Sequence, residues 1–178
     1  MGEDITTYTK RHMLPLAPKP EDICVEDIAH ALSLMVRANG HFPRFYSVGQ
    51  HCIHCCEEAL ARGYTPRVQL ACLLHDASEA YLADITRPVK RYLPKYKEIE
   101  QMLQEIIFEK YMGVLSEEET KLWRKLDDVL LYYEFDSFMG EKLMECPGQL
   151  QSCPVFDTEP FQMTERRYLE WFRRLTDQ

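Results

Sequence analysis

Several features are scarce or missing in this chain of 178 residues, and each absence excludes a class of protein. Glycine occurs only seven times, which disfavours a turn-rich all-β fold. No stretch of about 18 apolar residues occurs, so we expect no transmembrane helix. The polar N-terminal segment, MGEDITTYTKRHM, lacks the apolar core of a secretory signal. We therefore expect a cytoplasmic protein.

Motifs of nucleophilic catalysis and of phosphate-binding loops are also missing. The chain contains neither GxSxG nor GxxxxGK[ST]. Its net charge is −8, and it has no basic stripe, so it lacks the electrostatic footprint for duplex nucleic acid or an anionic membrane. We expect neither as a partner. A small phosphorylated ligand is still compatible with the acidic net charge, because a metal and a few local basic residues can bind it.

The composition that is present indicates one soluble globular domain. Hydrophobic residues make up 46% of the chain, enough for a core, and charged residues make up 28%. The cysteines are an odd number and lie at positions 24, 52, 55, 56, 72, 146 and 153. Five of them fall in apolar helical patterns, which favours reduced, buried cysteine over a disulfide framework. A structural zinc site in the run His-Cys-Ile-His-Cys-Cys (51–56) would need a second ligand pair, and no second CxxC occurs.

Start signals divide the chain into helices. Ser47–Gln50 and Ser116–Glu119 fit capping boxes, and Thr65–Pro66 fits an N-cap followed by proline at the first helical position. Residues 1–21 contain three prolines and predict an extended arm that allows a short hairpin. Residues 22–178 predict a single all-α domain of five to seven helices.

Helix ends follow from apolar spacing, glycine and proline. The helix that starts at Thr65 is expected to run to about residue 82. Residues 83–94 are broken by two prolines and should be irregular or weakly helical. Residues 145–162 predict a loop. A last helix is expected over 164–175, capped by Thr164.

The most informative polar segment is His75-Asp76, which follows the apolar run LACLL. A charged Asp beside a His is costly near a buried helix unless something compensates for it. A bound cation is one compensation, whereas an exposed helix end with ordinary polar residues is the alternative. Adjacent helical residues diverge by about 100°, so this pair needs further ligands from other helices. Glu79 follows three to four residues later and faces the same region.

Further ligand candidates lie on other predicted helices. His51 opens the preceding helix, 24 residues before His75, and Asp127 lies within a later amphipathic helix. Asp128 is the competitor for that last position. A mixed His and Asp set suits Mn, Fe, Co, Ni or Zn and tolerates Mg.

These residues form a pattern that resembles the HD phosphohydrolase superfamily. Its elements are a His, then His-Asp, then an Asp, spread over about 80 residues. The segments FYSVGQH, LLHDASEAYLADITRPVK and LDDVLLYYE are similar to the bacterial and phage branch that includes the HD-domain 5'-deoxynucleotidases. The similarity covers residues 23–136 and implies an all-α HD-type helical domain.

The resemblance implies roles for individual residues. His51, His75, Asp76 and Asp127 correspond to the four ligands of one divalent metal ion. Asp127 is preferred over Asp128 because Glu134 follows it by seven residues, on the same helix face.

The resemblance also implies catalytic and substrate-binding residues. Glu79 corresponds to the residue that positions or activates the attacking water. Asp84 corresponds to an acidic residue beside the substrate. Arg37, Arg87 and Lys90 are the candidates for phosphate binding. The relatives follow their Arg with a Trp, whereas Ala38 follows Arg37 here, so the mode of base recognition is expected to differ.

The implied activity is metal-dependent hydrolysis of a small nucleotide, with a (deoxy)nucleoside 5'-monophosphate as the first substrate. The alternatives are a nucleoside triphosphohydrolase or pyrophosphohydrolase with the same ligands, and a non-catalytic HD-fold module that binds metal or nucleotide. HD nucleotidases often form dimers, so the resemblance also allows a homodimer.

Overall fold

The computed structural model describes residues 3–177, and that part of the chain is predominantly helical. Within it, two short antiparallel strands, β1 (Ile5–Thr6) and β2 (His12–Met13), precede seven α-helices. The helices are α1 (Val25–Leu34), α2 (Val48–Ala61), α3 (Pro66–Leu74), α4 (Arg87–Lys90), α5 (Pro94–Met112), α6 (Glu117–Met139) and α7 (Phe161–Thr176). The predicted all-α fold with five to seven helices is confirmed.

Helix α2 lies at the centre of the molecule and contacts α1, α3, α6 and α7. Eleven of its residues are buried, as expected for a helix packed on most sides. Gly49 permits the close approach of α1, because a Cβ there would lie 3.1 Å from the backbone nitrogen of Ser33. This packing buries the first turn of α2, where His51 lies.

The predicted start signals form as hydrogen-bonded caps. In both capping boxes, Ser47–Gln50 and Ser116–Glu119, the serine hydroxyl accepts from the backbone three residues on and the returning side chain accepts from the serine backbone. The Thr65 hydroxyl accepts from the Val68 backbone nitrogen, with Pro66 at the first helical position. These contacts are local, which is why the sequence predicts them correctly.

Helix α3 ends at Leu74, so the prediction that it continues to about residue 82 was wrong. After it, residues 77–80 form a 3₁₀ turn, in which the Glu79 backbone nitrogen donates to the Asp76 carbonyl. The His75 ring also engages the helix end, since its Nδ1 lies 2.7 Å from the Cys72 carbonyl oxygen. His75 and Asp76 therefore lie in a turn rather than along a helix face.

The start of the last helix also differs from the prediction. Helix α7 begins at Phe161 with Pro160 as its N-cap, so Thr164 is not the cap. The Thr164 side chain is buried in the first turn and donates a 2.7 Å hydrogen bond to Glu159. Residues 145–160 form most of the predicted loop, and the expected weak helicity of 83–94 takes the form of the four-residue α4.

The predicted N-terminal arm packs against the helical body. Met13 is fully buried in the main core cluster. The backbone nitrogen and hydroxyl of Thr9 donate to the buried Asp27 carboxylate at 2.6 and 2.9 Å. The two strands confirm the hairpin. Among residues 3–177, no helix is long and apolar enough to cross a membrane.

The cysteines are free thiols in the described chain, as expected. Those at positions 24, 52, 55, 56 and 72 are buried, and those at 146 and 153 are exposed.

Candidate metal centre

Two histidine side chains meet in the buried centre of the molecule, where the start of α2 faces the end of α3. The Nε2 atoms of His51 and His75 are 3.2 Å apart. His51 Nδ1 lies 2.5 Å from the Glu134 carboxylate, so we assign its proton to Nδ1. His75 Nδ1 donates to the Cys72 carbonyl. When each ring carries its single proton on Nδ1, both Nε2 lone pairs point at the same small volume, an arrangement that a cation between them stabilises.

Carboxylates from two other segments complete this cluster. Asp127 Oδ1 on α6 lies 3.1 Å from His51 Nε2 and 3.8 Å from His75 Nε2. Asp76 Oδ2 lies 3.3 Å from His75 Nε2 and 3.9 Å from His51 Nε2. Asp128, the competitor, has a side chain that is 43% exposed and pairs with Arg87. The structure thus brings together the four predicted ligands, with Asp127 rather than Asp128 at the histidine pair.

The donor set fits a divalent metal ion. Donors about 2.0–2.2 Å from one ion lie roughly 3–4 Å from each other, which matches the distances between these nitrogen and oxygen atoms. Buried groups of histidine, cysteine and aspartate here could hold a metal ion: His51 with Cys55 and His75, and Cys52 with His75 and Asp76. Glu79 Oε2 supplies a separate observation, because it is buried and has no hydrogen-bond partner among residues 3–177.

Carboxylates and imidazoles shift each other's pKa values in the centre. Burial and the nearby Arg37 lower the pKa of His51, but Glu134 and the hydrogen bond to Asp127 outweigh them and raise that pKa to about 9. Burial would raise the pKa of Asp76 and Asp127, yet the adjacent histidines hold both well below the ordinary value. The site therefore attracts positive charge, in the form of a proton or a metal ion.

Arg37, a predicted substrate-binding residue, lies inside the acidic cluster. Its guanidinium nitrogens are 3.5 Å from Asp76, 3.8 Å from Asp127 and 3.2 Å from Glu134. Its side chain is only 11% exposed. Arg37 is a fixed positive charge beside the candidate metal ligands, so an anion bound at the centre would contact its guanidinium.

The two predicted catalytic acids lie next to the ligands along the chain segment after α3. Glu79 is buried, and burial together with Asp76 and Asp84 raises its pKa well above the ordinary value. Burial is also the main reason that the pKa of Asp84 is raised. Lys90 Nζ lies 3.6 Å from Glu79 and 2.5 Å from Glu100.

Arg87 lies at the edge of the centre. Its guanidinium binds Asp127 Oδ2 at 2.5 Å and Asp128 Oδ1 at 2.6 Å. The Arg87 side chain is 48% exposed, whereas that of Asp127 is 18% exposed. Arg87 therefore covers one oxygen of a ligand from the solvent side, in a position from which it can turn toward a bound anion.

Sequence reasoning missed several participants. Glu134 was used only to choose between two aspartates, yet it is fully buried and anchors His51, Arg37 and the Tyr46 hydroxyl. Cys55 was taken as a packing residue, yet its Sγ lies 3.5 Å from His51 Nε2. The signal for Cys55 was its spacing, four residues after His51 on the same helix face. His54 has a structural role, since it is buried and its Nδ1 lies 2.8 Å from the Tyr46 hydroxyl oxygen.

Two bacterial proteins are similar to part of the chain, and no family model matches it. The uncharacterized protein YfdR of Escherichia coli K12 is 38% identical over 107 residues, which cover 60% of this chain and 57% of YfdR. An uncharacterized protein of Rhodobacter capsulatus is 44% identical over 94 residues, covering 49% of this chain and 47% of that protein. The chain therefore matches about half the length of these relatives. Their names indicate no activity.

Proposed function

We propose that this protein is a metal-dependent phosphohydrolase that acts on a small nucleotide, with a (deoxy)nucleoside 5'-monophosphate as the preferred substrate. One observation carries the proposal: two facing imidazole nitrogens and two carboxylates converge at 3.1–3.9 Å, beside a buried carboxylate oxygen that has no hydrogen-bond partner among residues 3–177. The choice of a nucleotide rests on the resemblance of three sequence segments to HD-domain nucleotidases.

The position of each residue indicates its role in the proposed reaction. His51, His75, Asp76 and Asp127 would hold one divalent ion. Such an ion supplies Lewis-acid polarisation of a phosphoryl oxygen and makes a nearby water more acidic. Its identity within the set Mn, Co, Fe, Ni, Zn and Mg is part of the proposal, and mixed nitrogen and oxygen donors suit all but the hardest of these ions.

The acidic residues beside the ligands handle the proton and the water. Oε2 of Glu79, which has no hydrogen-bond partner among residues 3–177, would accept a hydrogen bond from the attacking water. Burial and Asp76 raise the pKa of Glu79, and a divalent ion at the neighbouring ligands would offset this by favouring the ionised carboxylate, which then takes the proton of the water. Lys90, 3.6 Å from Glu79, restrains that carboxylate. Burial raises the pKa of Asp84, which favours a role as the proton donor to the leaving sugar oxygen.

The cations around the centre bind the phosphate. Arg37 is buried among the ligands and neutralises charge on the equatorial oxygens without having to move far. Arg87 is half exposed and exchanges its bonds to Asp127 and Asp128 for bonds to the phosphate. Burial of the centre excludes bulk water around the reacting atoms.

Phosphate release by metal-stripped protein tests the proposal. Mg, Mn, Co, Ni and Zn are added singly, with nucleoside 5'-mono- and triphosphates as substrates. We expect orthophosphate from monophosphates with at least one metal. Glu79→Gln should lower kcat about 100-fold or more while metal still binds, because it removes only the base. Glu118→Gln, an exposed change on α6, should leave kcat unchanged.

The remaining outcomes separate the alternatives. Inorganic triphosphate or pyrophosphate from nucleoside triphosphates, without turnover of monophosphates, would replace the proposal with a triphosphohydrolase or pyrophosphohydrolase. Metal binding without turnover of any phosphate ester would leave a non-catalytic binding module. Equal turnover in Asp76→Ala and the unmodified protein would remove this centre from the reaction.

A further inference from the structure

A cysteine side chain reaches the histidine pair from within α2. Cys55 lies one helical turn after His51, and its Sγ is 3.5 Å from His51 Nε2. The Cys55 sulfur and the Nε2 atoms of His51 and His75 all lie within 4.8 Å of one another. Cys55 is buried, with 1% of its surface exposed. Neither the resemblance nor the residue pattern assigned it a part in the centre.

The distances match a shared ion. Metal–nitrogen bonds of about 2.0–2.1 Å and metal–sulfur bonds of about 2.3 Å place neighbouring nitrogen and sulfur donors roughly 3.1–3.6 Å apart. They place two nitrogen donors roughly 2.9–3.4 Å apart. The Cys55 to His51 distance of 3.5 Å and the His51 to His75 distance of 3.2 Å fall in these ranges.

A hydrogen bond from the Cys55 thiol to His51 explains less of this geometry than a shared metal ion does. His51 Nε2 faces three atoms with lone pairs at once: Asp127 Oδ1 at 3.1 Å, His75 Nε2 at 3.2 Å and Cys55 Sγ at 3.5 Å. One proton on or near Nε2 can serve only one of these contacts. A cation in the middle satisfies all four atoms together.

We propose that the Cys55 thiolate is a ligand of the metal centre, beside His51 and His75, and that it biases the site toward thiophilic ions such as Zn²⁺ and Co²⁺ over Mg²⁺. This inference rests on the metal centre of the proposed function. As the sulfur–metal bond forms, the thiol gives its proton to solvent. Soft sulfur donors select against hard cations, which is the physical basis of the bias.

Two other cysteines on α2, Cys52 and Cys56, serve as comparisons for Cys55. Cys52 groups with His75 and Asp76 and is the competing sulfur. Cys56 follows Cys55 directly, about 100° around the helix, and is fully buried in the core.

Cobalt titration of the metal-stripped protein tests the proposal. The buffer contains a phosphine reductant, because dithiols chelate metal. We expect one equivalent of Co²⁺ to produce a near-ultraviolet thiolate-to-cobalt charge-transfer band. Cys55→Ser should abolish the band and weaken Co²⁺ binding about tenfold or more, since a lost ligand costs at least as much as a lost outer-shell partner. Cys56→Ser should retain both the band and the affinity.

X-ray absorption of the Zn²⁺-loaded, unmodified protein gives a readout that needs no variant. We expect one sulfur neighbour at about 2.3 Å among nitrogen and oxygen neighbours. Binding of one equivalent with no sulfur signal in either spectrum would overturn the proposal and leave the metal centre standing. A band that survives in Cys55→Ser and disappears in Cys52→Ser would overturn it in favour of the other cysteine. Failure to bind any of these ions would overturn both the thiolate ligand and the metal centre.

Discussion

At the scale of single residues, Glu134 sets the orientation of the candidate ligand His51. Its carboxylate is fully buried and accepts from His51 Nδ1, Arg37 Nε and the Tyr46 hydroxyl at 2.5, 3.2 and 3.2 Å. A carboxylate there fixes the proton on Nδ1 and keeps Nε2 available to a metal. It also offsets the charge of Arg37, whose side chain beside it is only 11% exposed.

We predict that Glu134→Gln lowers the affinity for Zn²⁺ or Co²⁺ by about 10–100-fold, because the neutral amide orients and polarises the imidazole less strongly. Competition with a chromophoric chelator measures the affinity. Glu118→Gln, an exposed change on the same helix, is the matched control. Equal affinities in the two variants would contradict the positioning role of Glu134.

At the scale of elements, the side chain of Glu58 on α2 holds the loop that precedes α7. The Glu58 carboxylate is fully buried and accepts from the Gln151 and Ser152 backbone nitrogens, from the Ser152 hydroxyl and from Arg62 Nε. Burial alone would raise the pKa of Glu58, but these hydrogen bonds lower it below the ordinary value of 4.5. The Glu58 charge thus holds this loop together with the apolar packing of Leu150 and Phe156 against the core.

The lowered pKa fixes the sign of a pH dependence. We predict that Glu58→Gln lowers the free energy of unfolding by about 2 kcal/mol at neutral pH, from lost charge-assisted hydrogen bonds. The ionised Glu58 stabilises the fold above its ordinary pKa, and this contribution is lost as pH falls through the lowered value. Urea denaturation at neutral pH and at pH values below about 4 should therefore show the difference shrinking with acidity.

If the free energies of unfolding of the unmodified protein and Glu58→Gln differ by the same amount at every pH, the carboxylate charge of Glu58 does not hold the loop. Glu57→Gln is unsuitable as a control, because Glu57 pairs with Arg167. Glu118→Gln is suitable, since its side chain is exposed on α6.

At the scale of the whole molecule, the candidate centre joins segments that are far apart in the chain. Its candidate ligands come from positions 51 to 127, on α2, on α6 and in the segment that follows α3. An ion bound there links these elements in the folded state and has no such site in the unfolded chain. Metal binding should therefore stabilise the whole fold.

We predict that a bound ion at about 100 times its Kd adds about 2.7 kcal/mol to the free energy of unfolding. For a protein of this size, Tm should rise by roughly 5–10 °C over the chelator-treated protein. Differential scanning fluorimetry measures the shift. Asp76→Asn should lose most of it, and Asp136→Asn, an exposed change on α6, should keep it. The same shift in both variants would place the stabilising ion elsewhere.

The sequence by itself determined the fold class and the starts of three helices, α2, α3 and α6. The capping boxes at Ser47 and Ser116 and the Thr65–Pro66 start depend on contacts within three residues, so they are legible without tertiary information. The apolar spacing likewise predicts a helical core. The resemblance to HD phosphohydrolases implied which residues are the candidate ligands. It could not give the distances between their side chains.

Tertiary structure decided what packing between distant segments controls. The stretch after Leu74 has apolar residues and no glycine or proline, yet His75 turns onto the Cys72 carbonyl and the chain tightens into a 3₁₀ turn. The short distance from the Asp127 carboxylate on α6 to His51 on α2 follows from how these two helices pack together. Such convergence is set by helix packing across the core, and no local pattern encodes it.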